Sequence, residues 1–131
     1  MTTANADVWE DYAWKSRVLI VYAPDDDAPE LAGQRTLLSG DTDAMRERDL
    51  VLIEVVGDAI KAVPGPSPDT PAAELRARHG ISPDQFGLVL VGKDTGVKLR
   101  SDTPVASSDI FSLIDAMPMR RREMLLPKAV R

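Results

Sequence analysis

The fold is decided by Arg17-Val-Leu-Ile-Val-Tyr22-Ala23, which runs directly into Pro24-Asp-Asp-Asp-Ala-Pro29. After Arg17 the first stretch is continuously apolar and rich in β-branched residues, which is typical of a strand covered on both faces of a sheet. Pro24 ends this strand, while the three aspartates and Pro29 are residue types favoured at the start of a helix. A buried strand followed at once by a helix predicts an α/β domain.

The remaining elements follow from the same patterns along the chain. Buried or edge strands are expected at residues 49–56, 86–91 and 97–100, and helices near Pro29, Thr70 and Ser107, with a further helical turn at 44–48. The expected N-caps are an aspartate before Pro29, Thr70, and Ser107 or Ser108, and Asn5 or Asp7 is expected to cap a short helix through Asp11. The loop from 57 to 71 holds four prolines and two glycines, with room for a short strand at 59–63. Pro118 falls where it ends or kinks the last helix. The expected order is β-α-β-α-β-β-α.

This order is that of the thioredoxin-like plan, a three-layer α/β/α fold whose central mixed sheet begins with parallel crossovers and closes with an antiparallel hairpin. We expect residues 14–124 to form the domain, with 1–13 as an N-terminal segment packed on it and 125–131 as a C-terminal tail. Three of the six aromatic residues, Trp9, Tyr12 and Trp14, lie in or beside that first segment, which favours its packing. The loop after the first strand lies where such folds usually carry their chemistry.

Composition excludes a large group of chemistries. The chain has 131 residues, 44% of them apolar, which suits one domain with a single core. It contains no cysteine, so it has no disulfide, thiolate nucleophile, CxxC redox pair or thiolate zinc site. His79 is the single histidine, and it lies with Arg76 and Arg78 in the last turn of a predicted helix that ends at Gly80, which favours a role in complementing the helix dipole. We therefore predict no catalytic residue and no cofactor.

The net charge of −5 is unevenly distributed along the chain. Residues 1–70 hold 14 acidic and 6 basic side chains, whereas residues 71–131 hold 7 and 10. A sequence pI near 4.8 argues against nucleic-acid binding, and no apolar run approaches the ~20 residues that cross a bilayer. The N-terminus lacks the pattern of a signal peptide, so a periplasmic or secreted location is expected only if a signal has been removed.

Candidate site residues fall into two groups. Asp25, Asp26 and Asp27 are clustered carboxylates of the kind that binds a divalent cation, and they equally suit the start of a helix. The second group is a polar site or network for a small anionic ligand or an acidic partner protein, since guanidinium groups suit carboxylate and phosphate. Its members are Gln34, Arg48, Asp49, Lys93, Asp94, Lys98, Arg100, Arg120 and Arg121. Alternatively, one arginine of the 120–122 run pairs internally with Asp49 or Asp115 and the others are solvated.

Several segments, in the right order over residues 12–124, resemble the bacterial domain-of-unknown-function 4174 family. They are Trp14-Lys-Ser-Arg17-Val-Leu, Gln34-Arg35, Glu47-Arg48-Asp49-Leu-Val, Phe86-Gly-Leu-Val-Leu-Val-Gly92-Lys93-Asp94-x-Gly96-Val-Lys98-Leu-Arg100 and Ile114-Asp115-x-Met117-Pro118-Met119-Arg120-x-x-Glu123-Met124. The resemblance implies a thioredoxin-like fold and a relation to domains of secreted animal matrix and sushi-repeat proteins. It implies no activity, because members of the family have none established.

Three functional hypotheses follow from the sequence. The first is a redox-inactive thioredoxin-like domain that binds a partner or has a structural role. The second is a thiol-independent enzyme that uses a metal ion at Asp25–Asp27. The third is a structural module that dimerises through its aromatic N-terminal segment, since the sequence leaves the oligomeric state open.

Overall fold

A mixed five-stranded sheet forms the centre of the structure, a computed structural model that describes residues 12–63 and 68–125. Its strands are β1 (Arg17–Ala23), β2 (Leu50–Val56), β3 (Ala59–Val63), β4 (Gly87–Val91) and β5 (Val97–Ser101), in the spatial order β3-β2-β1-β4-β5. β1 pairs with β2 in parallel, and the other three pairings are antiparallel. Because β1 lies in the middle and all seven of its residues are buried, the strand predicted with most support is the axis of the fold.

Five helices cover the two faces of this sheet within the described ranges. They are α1 (Pro29–Leu38), α2 (Thr42–Glu47), α3 (Ala72–His79), α4 (Ser107–Asp115) and α5 (Pro118–Met124). On one face, Leu75 of α3 packs with Val18 and Ile20 of β1. On the other, Leu31 of α1 and Ile110 of α4 pack with Leu19 of β1. The alternation of side chains along β1 therefore divides the core between two layers of helix, which confirms the three-layer α/β/α architecture.

The structure has three elements in addition to the predicted β-α-β-α-β-β-α order. The short strand considered at 59–63 is β3, and the turn at 44–48 is the short helix α2. Pro118 does not kink α4, which ends at Asp115, but occupies the first turn of a separate helix, α5. A proline is well placed there because the first amides of a helix have no partner within the helix.

The predicted helix caps are wrong. The N-cap residues of α1, α3 and α4 are Ala28, Pro71 and Ala106, and none of them makes a side-chain cap hydrogen bond. Asp25 instead accepts the backbone N–H of Asp27 at 2.9 Å, which folds the loop on itself. The predicted stop at Gly80 is confirmed, since that residue adopts φ +68° after α3.

The two ends of the sheet carry different groups of side chains, and they are called here the Ala23 end and the Arg17 end after the limits of β1.

The predicted helix at residues 5–11, and all but the first residue of the predicted C-terminal tail, lie outside the described ranges. Among the described residues, no helix has both the length and the apolar character needed to cross a membrane.

Candidate functional site

The Ala23 end, where the fold usually carries its chemistry, holds exposed carboxylates in this chain. Asp25, Asp26 and Asp27 are all exposed, and Asp26 lies 3.8 Å from the guanidinium of Arg35. Arg35 also makes a two-point contact with Glu54, at 2.8 and 3.1 Å. Within the described ranges no three histidine or acidic side chains are grouped so that they could hold a metal ion. The metal hypothesis for Asp25–Asp27 therefore has no supporting geometry.

Arg76 is a buried residue that binds the backbone at the same end of the sheet. Its side chain is buried, and its guanidinium donates to the carbonyl oxygens of Ala23 at 2.9 Å and Gly57 at 2.6 Å. One cation thus ties the end of β1 to the turn between β2 and β3. The sequence indicated only a basic residue in the last turn of a helix, because both acceptors are backbone atoms distant along the chain.

His79 is a buried neutral side chain. Its Nδ1 lies 2.6 Å from the hydroxyl of Tyr22. The Tyr22 hydroxyl donates to the carbonyl oxygen of Leu75 at 3.1 Å. Burial, with the positive charges of Arg78 and Arg100, lowers the pKa of His79 to about 4, and burial also raises the pKa of Tyr22. An uncharged imidazole adds no positive charge to a helix end, so the predicted dipole role is wrong.

The Arg17 end contains a buried ionic group that we call the Glu123 network: Arg17, Asp49, Lys93 and Glu123. Arg17, only 1% exposed, contacts both carboxylate oxygens of Glu123, at 3.1 and 3.3 Å. Lys93 Nζ lies 2.6 Å from Glu123 and 2.9 Å from Asp49. Burial raises the pKa of Glu123, but the hydrogen bonds from Lys93 and Arg17 outweigh it, so the pKa lies below its usual value.

A second set of ion pairs centres on Asp115 and adjoins this network. Arg48 contacts both carboxylate oxygens of Asp115, at 2.9 and 3.1 Å, and its guanidinium stacks over the ring of Phe111. Arg120 contacts the same carboxylate at 3.1 Å and donates to the carbonyl of Glu47. Arg120 is 3% exposed, so its charge is used inside the protein. The predicted alternative, an internal pair between Asp115 and one of the three consecutive arginines, is confirmed.

The nine predicted site residues do not form one open site. Arg48, Asp49, Lys93 and Arg120 come together, but in the two sets of internal pairs just described. Gln34 is buried and exchanges two hydrogen bonds with the backbone of Val105. The others are spread over the surface: Asp94 and Lys98 pair with each other, Arg100 lies on β5, and Arg121 is exposed on α5.

Sequence reasoning left Arg17 and Glu123 out of the site, although both belong to the segments that carry the family resemblance. Their signal was the combination of a charged residue at the start of a buried strand and an acidic residue among arginines. Pairing them requires the tertiary fold, since 106 positions separate the two residues.

A cavity of about 320 Å³ opens beside the Glu123 network, and we call it the α2 pocket. It lies between α2, the end of α1 and the strands β2 and β3 at the Arg17 end. Asp49, which lines it, adopts the left-handed backbone conformation with φ +52° and connects the pocket to Lys93. The pocket is lined by Ser16, Leu38, Thr42, Met45, Arg46, Asp49, Leu50, Val51, Leu52 and Val63.

A smaller cavity of about 230 Å³ adjoins the other side of the network. It is formed by Arg17, the β4–β5 turn and the residues around Pro118. Its basic groups are already paired, because Lys98 lies 2.9 Å from Asp94 and Lys93 contacts two carboxylates. This cavity therefore offers no unpaired cation to an anionic ligand.

The chain is similar to known proteins in both sequence and fold. A family model described as "Domain of unknown function (DUF4174)" matches residues 8–123. The chain belongs to this family. Coiled-coil domain-containing protein 80 of Danio rerio is 26% identical over 136 residues, which cover 91% of this chain and 16% of that protein. The DUF4174 chain therefore spans about a sixth of the length of this relative.

The fold is similar to that of solved thioredoxin-like proteins. Thioredoxin peroxidase I of Plasmodium yoelii superposes with a TM-score of 0.58 at 14% identity, over 86% of this chain and 79% of the other. This likeness shows the fold alone. The DUF4174 chain combines a thioredoxin-like architecture with a sequence that has no cysteine.

We predict that Glu123→Gln lowers the free energy of unfolding by about 3–5 kcal/mol, because it removes the charge that compensates two buried cations. The shape of the side chain is kept, so packing changes little. Urea denaturation at pH 7 measures the effect. Lys98→Ala is the matched control, since it breaks a partly exposed pair and should cost under about 1 kcal/mol. A loss for Glu123→Gln as small as that of the control would contradict a stabilising role for the network.

A second prediction concerns pH. The pKa of His79 is about 4 when folded and near 6.5 when unfolded, so the unfolded state binds more protons between these values. The free energy of unfolding should fall by about 2 kcal/mol from pH 7 to pH 5. Asp115 and Glu123, whose pKa values lie below their usual range, contribute only at lower pH. In His79→Gln the loss over this interval should disappear; an unchanged loss in that variant would exclude His79 as its source.

Proposed function

We propose that this chain is a redox-inactive thioredoxin-like binding domain whose site is the α2 pocket, and that the site takes an apolar group of a partner protein or small molecule. The observation that carries the proposal is the pocket itself. Six of its ten lining residues are apolar, namely Leu38, Met45, Leu50, Val51, Leu52 and Val63. A few polar groups stand beside them, which is the usual composition of a ligand pocket.

The size of the pocket restricts its occupant. Its volume of about 320 Å³ lies at the lower limit of ligand sites, which run from about 300 to 1,000 Å³. A single aromatic or aliphatic group fits this volume, and a dinucleotide or an extended peptide does not. The absence of cysteine from the chain supports binding in place of thiol chemistry.

The charges around the pocket favour an apolar occupant over the small anion expected from the sequence. Asp49 already accepts from Lys93, and Arg46 contacts Asp43 at 3.1 Å. The polar groups that line the pocket are therefore suited to orient a bound group, and not to neutralise a charged one. The hydroxyl groups of Ser16 and Thr42 are the candidates for this orienting role.

A purely structural role is the second candidate, and the Glu123 network favours it. That network uses in internal pairs several of the basic groups that a binding surface would need. A structural module predicts no saturable binding at the α2 pocket, which separates the two candidates by experiment.

The test is a titration of the isotope-labelled chain with indole, followed by amide chemical shifts. We expect saturable shifts that centre on Met45, Leu50 and Val63, with a dissociation constant of about 1 mM for so small a probe. Toluene should compete with indole, because the walls of the pocket are apolar. Shifts that rise linearly without saturation, or that lie outside the pocket, would count against the proposal.

Two valines supply a matched pair of variants for this titration. Val63 lines the pocket on edge strand β3 and is 45% exposed, while Val97 is 49% exposed on edge strand β5 at the opposite side of the sheet. We expect both positions to tolerate a phenylalanine, since aromatic residues are favoured in β-strands. Val63→Phe should abolish indole binding by filling the pocket, and Val97→Phe should leave it unchanged. Equal binding by both variants would place indole elsewhere.

A further inference from the structure

We infer that the α2 pocket receives the indole of Trp14 from a second copy of this chain, so that two copies form a symmetric dimer with each tryptophan in the pocket of the other. The inference rests on the proposed function, because it names the apolar group that the pocket binds. Four observations carry it: the exposure of Trp14, the hydrogen-bonded turn that presents it, its closeness along the chain to a residue that lines the pocket, and the charges around both.

Trp14 is an exposed tryptophan on a fixed backbone. Its side chain is 68% exposed, although burying an aromatic side chain is strongly favourable. Its amide donates to the carbonyl of Lys93 at 2.7 Å, and the carbonyl of Tyr12 accepts from the amides of Lys15 and Ser16. Tyr12 in turn packs against the core on the α3 face of the sheet. The turn is therefore tied to the domain at both sides, so the backbone of Trp14 is already ordered before it binds.

The backbone of Trp14 adopts φ +64°, which is rare for a bulky residue and costs energy. Strained conformations of this kind concentrate where a residue is held for a function. The energetic centres of protein interfaces are likewise enriched in tryptophan. An indole kept in water by a strained turn therefore has the properties of an interface anchor.

Trp14 and the pocket are close along the chain, which suits a two-fold interface in which one surface serves both copies. Ser16 lines the pocket and lies two residues from Trp14 along the chain. A two-fold axis that passes between these features brings each indole to the pocket of the other copy. Because the same surface serves both copies, the arrangement closes at two molecules and leaves no free site.

The surrounding charges are also complementary. Lys15, next to the indole, is exposed, whereas the segment 41–49 that forms one side of the pocket has four carboxylates and two guanidinium groups. Asp43 is one of these carboxylates, and its side chain is nearly fully exposed. In the dimer the Lys15 of each copy approaches the acidic segment of the other, which orients the association and makes it weaker at high salt.

The expected interface is small. An aromatic side chain buries about 150–250 Å². Two indoles with the walls of the two pockets that receive them therefore bury a total area at the low end of specific interfaces. We therefore expect a reversible dimer with a dissociation constant of roughly 10–100 µM and not a permanent one.

Sedimentation equilibrium of the full chain between 5 and 500 µM is the first measurement. The wild type should dimerise, and Trp14→Asn should weaken dimerisation at least tenfold; asparagine is chosen because it adopts a positive φ more readily than other residues. Leu37→Ala is the control, since Leu37 is 40% exposed but does not line the pocket. A wild type that stays monomeric at 500 µM, or a dimer unaffected by Trp14→Asn, would overturn the inference.

The second measurement mixes two variants that should each be monomeric alone. Trp14→Asn keeps an open pocket, and Val63→Phe keeps the indole but has a filled pocket. Their mixture can form one of the two contacts, so a heterodimer weaker than the wild-type dimer is expected. Trp14→Asn mixed with Val97→Phe is the control, because it places the added phenylalanine outside the pocket. Absence of the heterodimer overturns the assignment of the indole to the pocket of a second copy.

The titration with indole separates failure of this inference from failure of the proposed function. If the wild type is monomeric and indole binds at the α2 pocket, the binding function stands and the second copy is excluded as the occupant. If neither dimerisation nor indole binding occurs, both proposals fail. If residues 1–11 of the same chain occupy the pocket, a chain without them binds indole more tightly and remains monomeric, and that outcome also overturns the inference.

Discussion

The carboxylate of Glu123 is the constraint on which the arrangement of the Arg17 end depends. It lies in the protein interior between Arg17 and Lys93, and a buried charge is tolerated only when such partners are in place. These three residues belong to the first strand, the turn after the fourth strand and the last helix. Because Glu123 must contact both Arg17 and Lys93, the position of α5 is fixed relative to β1 and the β4–β5 turn. In that position α5 brings Arg120 to the carboxylate of Asp115.

This internal pairing changes what the basic residues of the chain can do. A guanidinium that is buried and hydrogen-bonded to a carboxylate and a carbonyl, as Arg120 is, would have to lose those bonds before it could bind an external anion. The cost of leaving its partners uncompensated exceeds what one exposed ligand contact returns. The binding that we propose therefore falls to a surface that does not need these cations, and the mainly apolar α2 pocket is such a surface.

The parts of the fold that sequence predicted are those set by local pattern. The buried strand β1 and the stop at Gly80 were found because neighbours in sequence decide them. Pro118 was expected from a local rule to end or kink the last helix. It instead begins α5, whose position depends on the pairing of Glu123 with Arg17 and Lys93. His79 looked like a charged helix end because its partner, Tyr22, lies on a strand 57 positions away. Pairings of that range are invisible to periodicity.

The loop where thioredoxin-like folds usually carry their chemistry and the candidate site lie at opposite ends of one strand, β1. At the Ala23 end, the guanidinium of Arg76 donates to the carbonyl oxygens of Ala23 and of Gly57 in the turn between β2 and β3. At the Arg17 end, β3 pairs with β2 only from Leu52 onward, so α2 and the first residues of β2 border an uncovered space. In this thioredoxin-like sheet the α2 pocket thus lies at the end opposite to the one where such folds usually carry their chemistry. Since Asp49 belongs both to that cavity and to the Glu123 network, the interactions that stabilise the last helix also hold one wall of the pocket in place.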